Sequence, residues 1–356
     1  MARSVMSGMV MQGVVACLPL QEVFNNRDYP WFDAGEIRKI TALAGIKSRR
    51  IVDSETCTSD LCQAAAERLL TALQWEPSSV DCLILVTQTA DYVMPPSSCF
   101  LQDRLGLSES CATLDIALGC SAYVYGIWVA HSLLAAGGCK RVLLLAGDTP
   151  SKYVNPKDRT TALLFGDAGT ATALESVPGT KVPPAHYLLM TDGKGWNHLI
   201  VPGGGFRERF PGERTKFCVS MDGAQVFDFT RNRVPTLIED MLAFSQQTVT
   251  DYDSFVFHQA NEYLIKFIAS KSGIPMDRVP LHLDQYGNTS AASIPLTLAL
   301  AGPRPRPDAR YSRVMLLGFG VGLSWGACSM SIPESCLFER IEYRQRACSE
   351  ETVSEA

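Results

Sequence analysis

Short apolar runs alternate with helical patterns along the first half of the chain. Residues 82–87 form a run that is too short for a helix and too evenly apolar for a half-exposed strand, so they predict a strand buried on both faces of a sheet. Residues 112–118 predict a second such strand. An N-capping Thr58-Ser59-Asp60 followed by apolar positions at helical spacing predicts an amphipathic helix over 58–73. Further strands are predicted at 13–18, 141–146 and 170–175, and further helices at 97–105 and 121–136.

The second half of the chain repeats this order of elements. We predict, in sequence, a strand at 255–257, a helix at 262–272, a strand at 279–283, a helix at 290–300, and strands at 314–317 and 323–332. Cys82 and Val142, which open two strands of the first half, are 60 residues apart, and Phe255 and Val314 in the second half are 59 apart. The spacing indicates an internal duplication, and the alternation of strands and helices indicates an α/β fold.

The duplication sets the predicted domain organisation. We predict an N-terminal half at 1–176, inserted surface loops rich in Pro and Gly at 177–220, a C-terminal half at 221–335, and an acidic, disordered tail at 336–356. The helix at 121–136 is apolar on nearly all sides, which predicts that it is buried inside the protein.

Composition narrows the classes of function. The 356 residues carry a net charge of -5, which gives no general attraction to phosphate backbones or anionic lipid. No uncharged apolar stretch reaches about 18 residues, the length that a membrane-spanning helix needs. We therefore expect neither nucleic acid nor a membrane as a partner.

Most of the twelve cysteines look like small core residues. They are scattered over the chain, several lie inside apolar runs, and no Cys-x-x-Cys pair occurs. None of the five histidines stands at metal-ligand spacing from two cysteines. These patterns predict a reducing, cytoplasmic environment and no metal site.

Three reactive side chains fall where predicted strands end. Cys120 follows the strand at 112–118 and begins the apolar helix, where free N–H groups and the helix dipole favour a thiolate. His258 follows the strand at 255–257, and Asn288 stands in a glycine turn. Taken singly, each also fits an ordinary structural role, as a core thiol, a satisfied histidine or a turn residue. Together they predict a site that holds an acyl thioester and polarises a second carbonyl.

Five motifs occur in order between about residues 10 and 332, and together they are specific. They are Leu-Asp-Ile-Ala-Leu-Gly-Cys-Ser-Ala at 114–122, Asp-Arg-Thr-Thr-Ala-Leu-Leu-Phe-Gly-Asp at 158–167, His-Gln-Ala-Asn at 258–261, Gly-Asn-Thr-Ser-Ala-Ala-Ser-Ile-Pro at 287–295 and Gly-Phe-Gly-Val-Gly-Leu-Ser-Trp-Gly at 318–326. In residue types and order the chain resembles the thiolase-fold condensing enzymes, specifically the β-ketoacyl-acyl-carrier-protein synthase III family.

The resemblance implies a thiolase-like fold, with duplicated βαβαβ halves in a five-layer αβαβα arrangement. It implies Cys120 as the acylated nucleophile, and His258 and Asn288 as donors to the thioester carbonyl of a malonyl unit that loses CO2. By position, the backbone N–H groups of Cys120 and Val321 form the oxyanion hole. The implied substrates are acyl-coenzyme A and malonyl-acyl-carrier protein or malonyl-coenzyme A, with no cofactor. The implied assembly is a cytoplasmic homodimer with acyl carrier protein as a partner.

Substrate-binding positions depart from the family pattern. Arg159 and Phe227 keep family positions for coenzyme A or substrate, and Met94 stands where relatives place a bulky residue that reaches into the partner subunit's acyl pocket. Lys39 replaces a Trp that stacks on adenine, and Leu43 replaces a phosphate-binding Arg. Family basic or polar residues near the tunnel mouth align with Ala224, Asp228, Tyr263 and Ser270, while Arg231, Arg233, Lys266 and Lys271 form either a different basic patch or a solvated helix face.

Three functions stay open at this point. The first is condensation with a malonyl thioester, in fatty-acid initiation or in a specialised pathway. The second is transfer of the same acyl group from Cys120 to a non-malonyl acceptor such as a hydroxyl or an amine. The third is a non-catalytic partner subunit, which the intact set of Cys120, His258 and Asn288 argues against.

Overall fold

The computed structural model describes residues 2–27, 29–179, 182–303 and 309–344. The helices are α1 (Ala34–Ala44), α2 (Thr58–Leu73), α3 (Ser97–Arg104), α4 (Ala122–Ala135), α5 (Gly223–Ser245), α6 (Glu262–Lys271), α7 (Leu283–Tyr286) and α8 (Ser293–Ala301). The strands are β1 (Ala2–Met6), β2 (Met9–Leu18), β3 (Glu22–Phe24), β4 (Ser48–Arg50), β5 (Cys82–Val86), β6 (Ala112–Ile116), β7 (Arg141–Asp148), β8 (Ala168–Ser176), β9 (Ala185–Thr191), β10 (Leu199–Ile200), β11 (Ser220–Met221), β12 (Ser254–Phe257), β13 (Tyr311–Gly320), β14 (Ser324–Pro333) and β15 (Leu337–Glu342).

Two large sheets carry the duplicated plan that the spacing predicts. One has the order β15-β2-β8-β7-β5-β6 and the other the order β1-β9-β14-β13-β12. In the first sheet Cys82 pairs in parallel with Val142, and in the second Ser254 pairs in parallel with Val314. The two partners are 60 residues apart in both pairs, so β5 and β7 of the first half correspond to β12 and β13 of the second.

Hydrophobic burial arranges the two sheets and their helices in five layers. The apolar helices α4 and α8 lie between the sheets and contact strands of both. α2 and α3 pack on the outer face of the six-stranded sheet, and α5 and α6 pack on the outer face of the other. The predicted αβαβα arrangement is confirmed, and the two central helices belong to its most enclosed layer.

Two segments that were predicted to lack regular structure contain strands. Part of the segment 177–220, predicted as surface loops, is β9, which lies inside the five-stranded sheet between β1 and β14 with Tyr187 and Leu188 fully buried. Residues 337–342 of the predicted tail form β15, which pairs in parallel with β2. Two prolines directly precede β9, and β15 contains acidic residues, so neither segment showed a clear strand pattern in the sequence. The rest of the tail, 345–356, lies outside the described residues.

Two predicted strands also differ from the structure. No strand forms at 279–283; a short 3₁₀ turn at Met276–Arg278 and the one-turn helix α7 occupy this region, so the second half lacks a counterpart of β6. β6 itself is half-exposed and not buried on both faces, because it lies at the edge of its sheet. Across the described parts of the chain, no helix combines the length and apolar character that crossing a membrane requires.

Candidate active site

Cys120 lies in the connection between the edge strand β6 and the central helix α4. The residue is buried, and Ser121, which precedes the first helical residue, fixes the entry of the helix through a 2.7 Å hydrogen bond between its hydroxyl and that of Ser324. Because α4 is packed between two sheets, the sulfur is held at a fixed position.

The glycine turn after β13 faces this sulfur. A Cβ atom on Gly320 would lie 2.6 Å from the Cβ and 2.9 Å from the Sγ of Cys120, and its φ of +153° is a conformation that residues with side chains rarely adopt. Only glycine allows the backbone to approach the sulfur of Cys120 so closely.

Two backbone N–H groups point to the sulfur. Those of Cys120 and Val321 both lower the pKa of the Cys120 thiol, and neither donates to an oxygen of any residue that the structure describes. Two unpaired N–H donors beside one reactive sulfur have the arrangement that an oxyanion hole requires.

The thiolate predicted at Cys120 is not favoured in the resting protein. Burial raises the pKa of the thiol to about 11, and the nearby carboxylate of Asp148 acts in the same direction. The backbone N–H groups and the Ser290 hydroxyl oppose the shift without cancelling it. The free-energy cost of burying an anion therefore outweighs the stabilisation that the N–H groups at the helix terminus give the thiolate, and Cys120 is a thiol at neutral pH.

His258 directly follows β12 and is almost completely buried. Its ring stands edge-on to Phe319, with ring centroids 5.6 Å apart, and its Nδ1 lies 2.7 Å from the hydroxyl of Ser293. The Ser293 hydroxyl also accepts the N–H of Gln259 at 3.3 Å. Burial lowers the pKa of His258 to about 3, while the Ser290 carbonyl acts in the opposite direction. The imidazole is neutral in the physiological pH range.

Asn288 is held by its backbone and by its own side chain. Its N–H donates to the carbonyl of Leu164, and its carbonyl accepts the N–H of Gly166, so a bridge joins Asn288 to Phe165 of the first half. Its Oδ1 accepts the N–H of Ser290 at 2.9 Å. With the oxygen engaged, the amide nitrogen keeps its hydrogens for another acceptor.

The sequence patterns did not reveal two buried charged residues that assemble the site. Asp148, at the end of β7, accepts N–H groups from Gln88 at 2.7 Å in the first half and from Ala291 at 3.1 Å in the second. Arg49 donates to the carbonyls of Ala162 and Phe165, which fixes the segment that bridges to Asn288. A single acidic or basic residue gives no periodic signal, so only the fold identifies these roles.

Two cavities meet at Cys120. The first, of about 460 Å³, also contacts His258 and Asn288 and extends along apolar side chains to Leu43, which is exposed at the surface. The second, of about 430 Å³, is also lined by Cys120 and is bordered by Val321. The three predicted catalytic residues are thus brought together, with Cys120 at the junction of the cavities.

The predicted substrate-binding residues divide between the first cavity and the surface. Phe227 lines the cavity and stacks on Tyr263, with ring centroids 6.1 Å apart. Arg159 also lines it and forms a 2.6 Å ion pair with Glu36. Met94 is 79% exposed and lines neither cavity among the described residues.

The aligned replacement positions also divide between cavity and surface. Leu43 and Ala224 line the first cavity; Lys39, Asp228 and Ser270 are exposed and do not, and Asp228 pairs with Arg231 at 2.7 Å.

Comparisons with known proteins agree with this geometry. Residues 114–193 match the profile of 3-oxoacyl-(acyl-carrier-protein) synthase III, and 242–332 match the profile of its C-terminal part. The chain is 34% identical to a putative 3-oxoacyl-(acyl-carrier-protein) synthase 3 of Campylobacter jejuni over 88% of this chain and 89% of that protein. It is 34% identical to a β-ketoacyl-(acyl-carrier-protein) synthase III of Streptomyces coelicolor over 91% and 97% of the two chains.

Solved structures give the same result. A 3-oxoacyl-(acyl-carrier-protein) synthase from Burkholderia xenovorans is 40% identical with a TM-score of 0.91, covering 96% of this chain and 99% of that one. The priming β-ketosynthase of the R1128 polyketide pathway is 26% identical with a TM-score of 0.81, covering 92% and 97%. With more than a third of its residues shared with such relatives over most of its length, this chain belongs to the 3-oxoacyl-(acyl-carrier-protein) synthase III family of thiolase-fold condensing enzymes.

Proposed function

We propose that this chain joins an acyl thioester to a malonyl thioester by decarboxylative condensation, with Cys120 as the residue that carries the acyl group. The observation that carries the proposal is the position of Cys120 at the junction of two cavities. A condensing enzyme holds two acyl units at once, and two cavities that are both lined by Cys120 provide for both. The substrates are acyl-coenzyme A and malonyl carried by acyl carrier protein or coenzyme A, and no cofactor takes part.

In the first half-reaction, Cys120 attacks the carbonyl of the acyl donor and the carrier thiol leaves. The backbone N–H groups of Cys120 and Val321 stabilise the oxyanion that forms on the carbonyl oxygen. The acyl chain then occupies the second cavity. Because Cys120 is protonated at rest, its proton must leave as the carbon–sulfur bond forms, and the departing carrier sulfur takes up a proton and leaves as the thiol.

In the second half-reaction, the malonyl thioester enters the first cavity. Its thioester oxygen accepts hydrogen bonds from the amide of Asn288 and the neutral imidazole of His258. The bond to the carboxylate breaks, CO2 leaves, and the electron pair becomes an enolate that these donors stabilise. The enolate carbon attacks the acyl carbonyl on Cys120, and the thiolate is expelled with formation of a 3-oxoacyl product.

The entrance of the first cavity supports delivery of the substrate on a long arm. Leu43 and the side chain of Arg159 are both mostly exposed where they border the cavity. Binding of a coenzyme A phosphate at Arg159 requires displacement of Glu36 from its ion pair. Arg231, Arg233, Lys266 and Lys271 are the four residues of the alternative basic patch. Three of them already pair with carboxylates: Arg231 with Asp228, Arg233 with Asp192 and Lys266 with Glu262.

We also propose a homodimer that pairs along β6. The outer edge of this strand has no partner strand within the described residues, and unpaired edges that persist in soluble proteins are usually covered. Beside it, the loop containing Tyr92 and Met94 exposes large apolar side chains, and Asp115 of β6 accepts the N–H of Ser97 at 2.7 Å at the end of that loop.

The cysteines of the described residues are free, which supports a cytoplasmic location.

The direct test is the intact mass of the protein after mixing with a panel of acyl-coenzyme A donors. We expect one acyl adduct on the wild type and none on Cys120→Ala. Addition of malonyl-acyl-carrier protein should then discharge the adduct with release of one CO2 per acyl group. Asn288→Ala should load normally but discharge about 10²- to 10³-fold more slowly, since it lacks a donor to the enolate oxygen.

Two results would contradict this proposal. Absence of an adduct with every donor removes the role of Cys120 as acyl carrier. Discharge without CO2 release identifies transfer to a different acceptor in place of condensation.

The raised pKa of Cys120 predicts the pH dependence of its alkylation. Below a pKa of about 11 the thiolate fraction rises about tenfold per pH unit, so the rate of reaction with iodoacetamide should rise without a plateau up to about pH 10. Peptide mapping by mass spectrometry separates Cys120 from the other cysteines, with Cys120→Ala as the blank. A plateau near neutral pH would show that the helix terminus stabilises the thiolate after all.

Ser293 is predicted to position His258 for the second half-reaction only. Ser293→Ala removes the hydroxyl that contacts Nδ1 of His258, and loss of one hydrogen bond should slow discharge by malonyl about 3- to 10-fold while acyl loading stays unchanged. The matched control is Thr297→Val on the same helix, whose hydroxyl donates to the Ser293 carbonyl and does not contact the imidazole. If Ser293→Ala slows both half-reactions equally, or if Thr297→Val slows discharge as much as Ser293→Ala does, the role of Ser293 is merely structural.

A further inference from the structure

The second cavity contains polar side chains that the proposed reaction does not use. Its wall is largely apolar, with Phe165, Leu199 and Val219, but the side chains of Tyr153 and Gln88 also border it. A plain alkyl chain would form no hydrogen bond with either group.

Tyr153 presents a hydroxyl without a partner. Its carbonyl accepts the N–H of Val219 at 2.8 Å, which fixes the residue in the wall, but its phenol makes no hydrogen bond within the described residues. The neighbouring carboxylates of Asp148 and Asp167 are occupied by other donors. Burial and these carboxylates raise the pKa of Tyr153 well above its ordinary value, so the hydroxyl stays protonated and able to donate.

Gln88 adds a second hydrogen-bonding group at the rim of the cavity. Its backbone N–H donates to Asp148 at 2.7 Å, which anchors the residue at the end of β5. Its side-chain amide has no partner among the residues that the structure describes, and a Cβ atom on Gly119 would overlap the amide oxygen. The amide therefore lies next to the residue that precedes Cys120, close to where an acyl chain leaves the sulfur.

The bound acyl chain decides what happens to these groups. An alkyl chain expels water from the cavity and leaves the hydroxyl of Tyr153 without an acceptor, which is unfavourable for a buried donor. A chain with an oxygen atom at the same place pairs with the hydroxyl. A site with a buried hydrogen-bond donor discriminates strongly against a substrate that lacks the matching oxygen. An apolar pocket discriminates less strongly between chains of different length.

We propose that the second cavity selects an acyl group that carries a hydroxyl or keto oxygen, which accepts a hydrogen bond from Tyr153 and pairs with the amide of Gln88. This inference rests on the proposed function, because it takes Cys120 as the residue that bears the acyl group. It names the chemical class of the acyl donor as a hydroxyacyl or oxoacyl thioester.

The test is a competition for loading on Cys120. Wild-type protein is mixed with equal concentrations of hexanoyl-pantetheine and a hexanoyl-pantetheine hydroxylated at carbon 3, 4 or 5, one isomer at a time. Pantetheine thioesters avoid any dependence on the nucleotide or on a carrier protein. The initial ratio of the two adducts is read by intact mass. We expect at least one hydroxylated chain, and the keto chain with its oxygen at the same carbon, to load about tenfold faster than hexanoyl.

Variants assign the preference to the named side chains. Tyr153→Phe should remove most of the preference while hexanoyl loads at least as fast as before, and Gln88→Leu should reduce it. The matched control Tyr263→Phe removes a tyrosine hydroxyl next to the first cavity and should leave the ratio unchanged. If hexanoyl loads as fast as every oxygenated chain, or faster, the inference is overturned while the proposed function stands. The same holds if Tyr153→Phe leaves the ratio of the two adducts unchanged. Absence of any adduct on Cys120 overturns the proposed function and the inference with it.

Discussion

The site depends on the burial of two apolar helices between two sheets. α4 and α8 share the central layer, and each begins where a functional segment ends: Cys120 just before α4, and the turn with Asn288 just before α8. Neither helix shifts without opening a core that both sheets cover, and close packing of such cores resists small displacements. The bridge between Asn288 and Phe165, and the hydrogen bond that the N–H of Ala291 donates to Asp148, then join the start of α8 to segments of the first half. A duplicated fold in this way places residues of both halves around one sulfur.

The same burial sets the chemistry of the site. It raises the pKa of Cys120 and lowers that of His258, so both groups are neutral at rest. A neutral imidazole and a carboxamide are hydrogen-bond donors without a fixed charge, and this suits an enolate that exists only after CO2 has left. A cationic histidine would instead stabilise the malonyl carboxylate and oppose its loss. The neutral donors of the site thus stabilise the negative charge of the enolate, which forms during the reaction, more than that of the malonyl carboxylate, which is present before it.

Much of the fold follows from local patterns, because buried strands and apolar helices leave periodic signals. The spacing from Cys82 to Val142 and from Phe255 to Val314 reflects real strand partners or their direct neighbours. The positions of Cys120, His258 and Asn288 were predicted from strand ends and from the resemblance, and the structure gathers them in one place. Strands β9 and β15 escaped prediction because their sheets accept them through long-range pairing. The protonation of Cys120 and the roles of Asp148, Arg49 and Ser293 depend on burial and on contacts between distant segments, which no local pattern encodes.

The central claim is that two thioesters meet at Cys120 from two different cavities. The most direct measurement is a crystal structure of the protein after reaction with an acyl donor. The account predicts an acyl group on Sγ of Cys120, its chain in the second cavity, and its carbonyl oxygen within hydrogen-bond distance of the N–H groups of Cys120 and Val321. The first cavity should stay open, with His258 and Asn288 accessible to a second substrate. An acyl chain that fills the first cavity, or an acyl group on any other residue, would contradict the account.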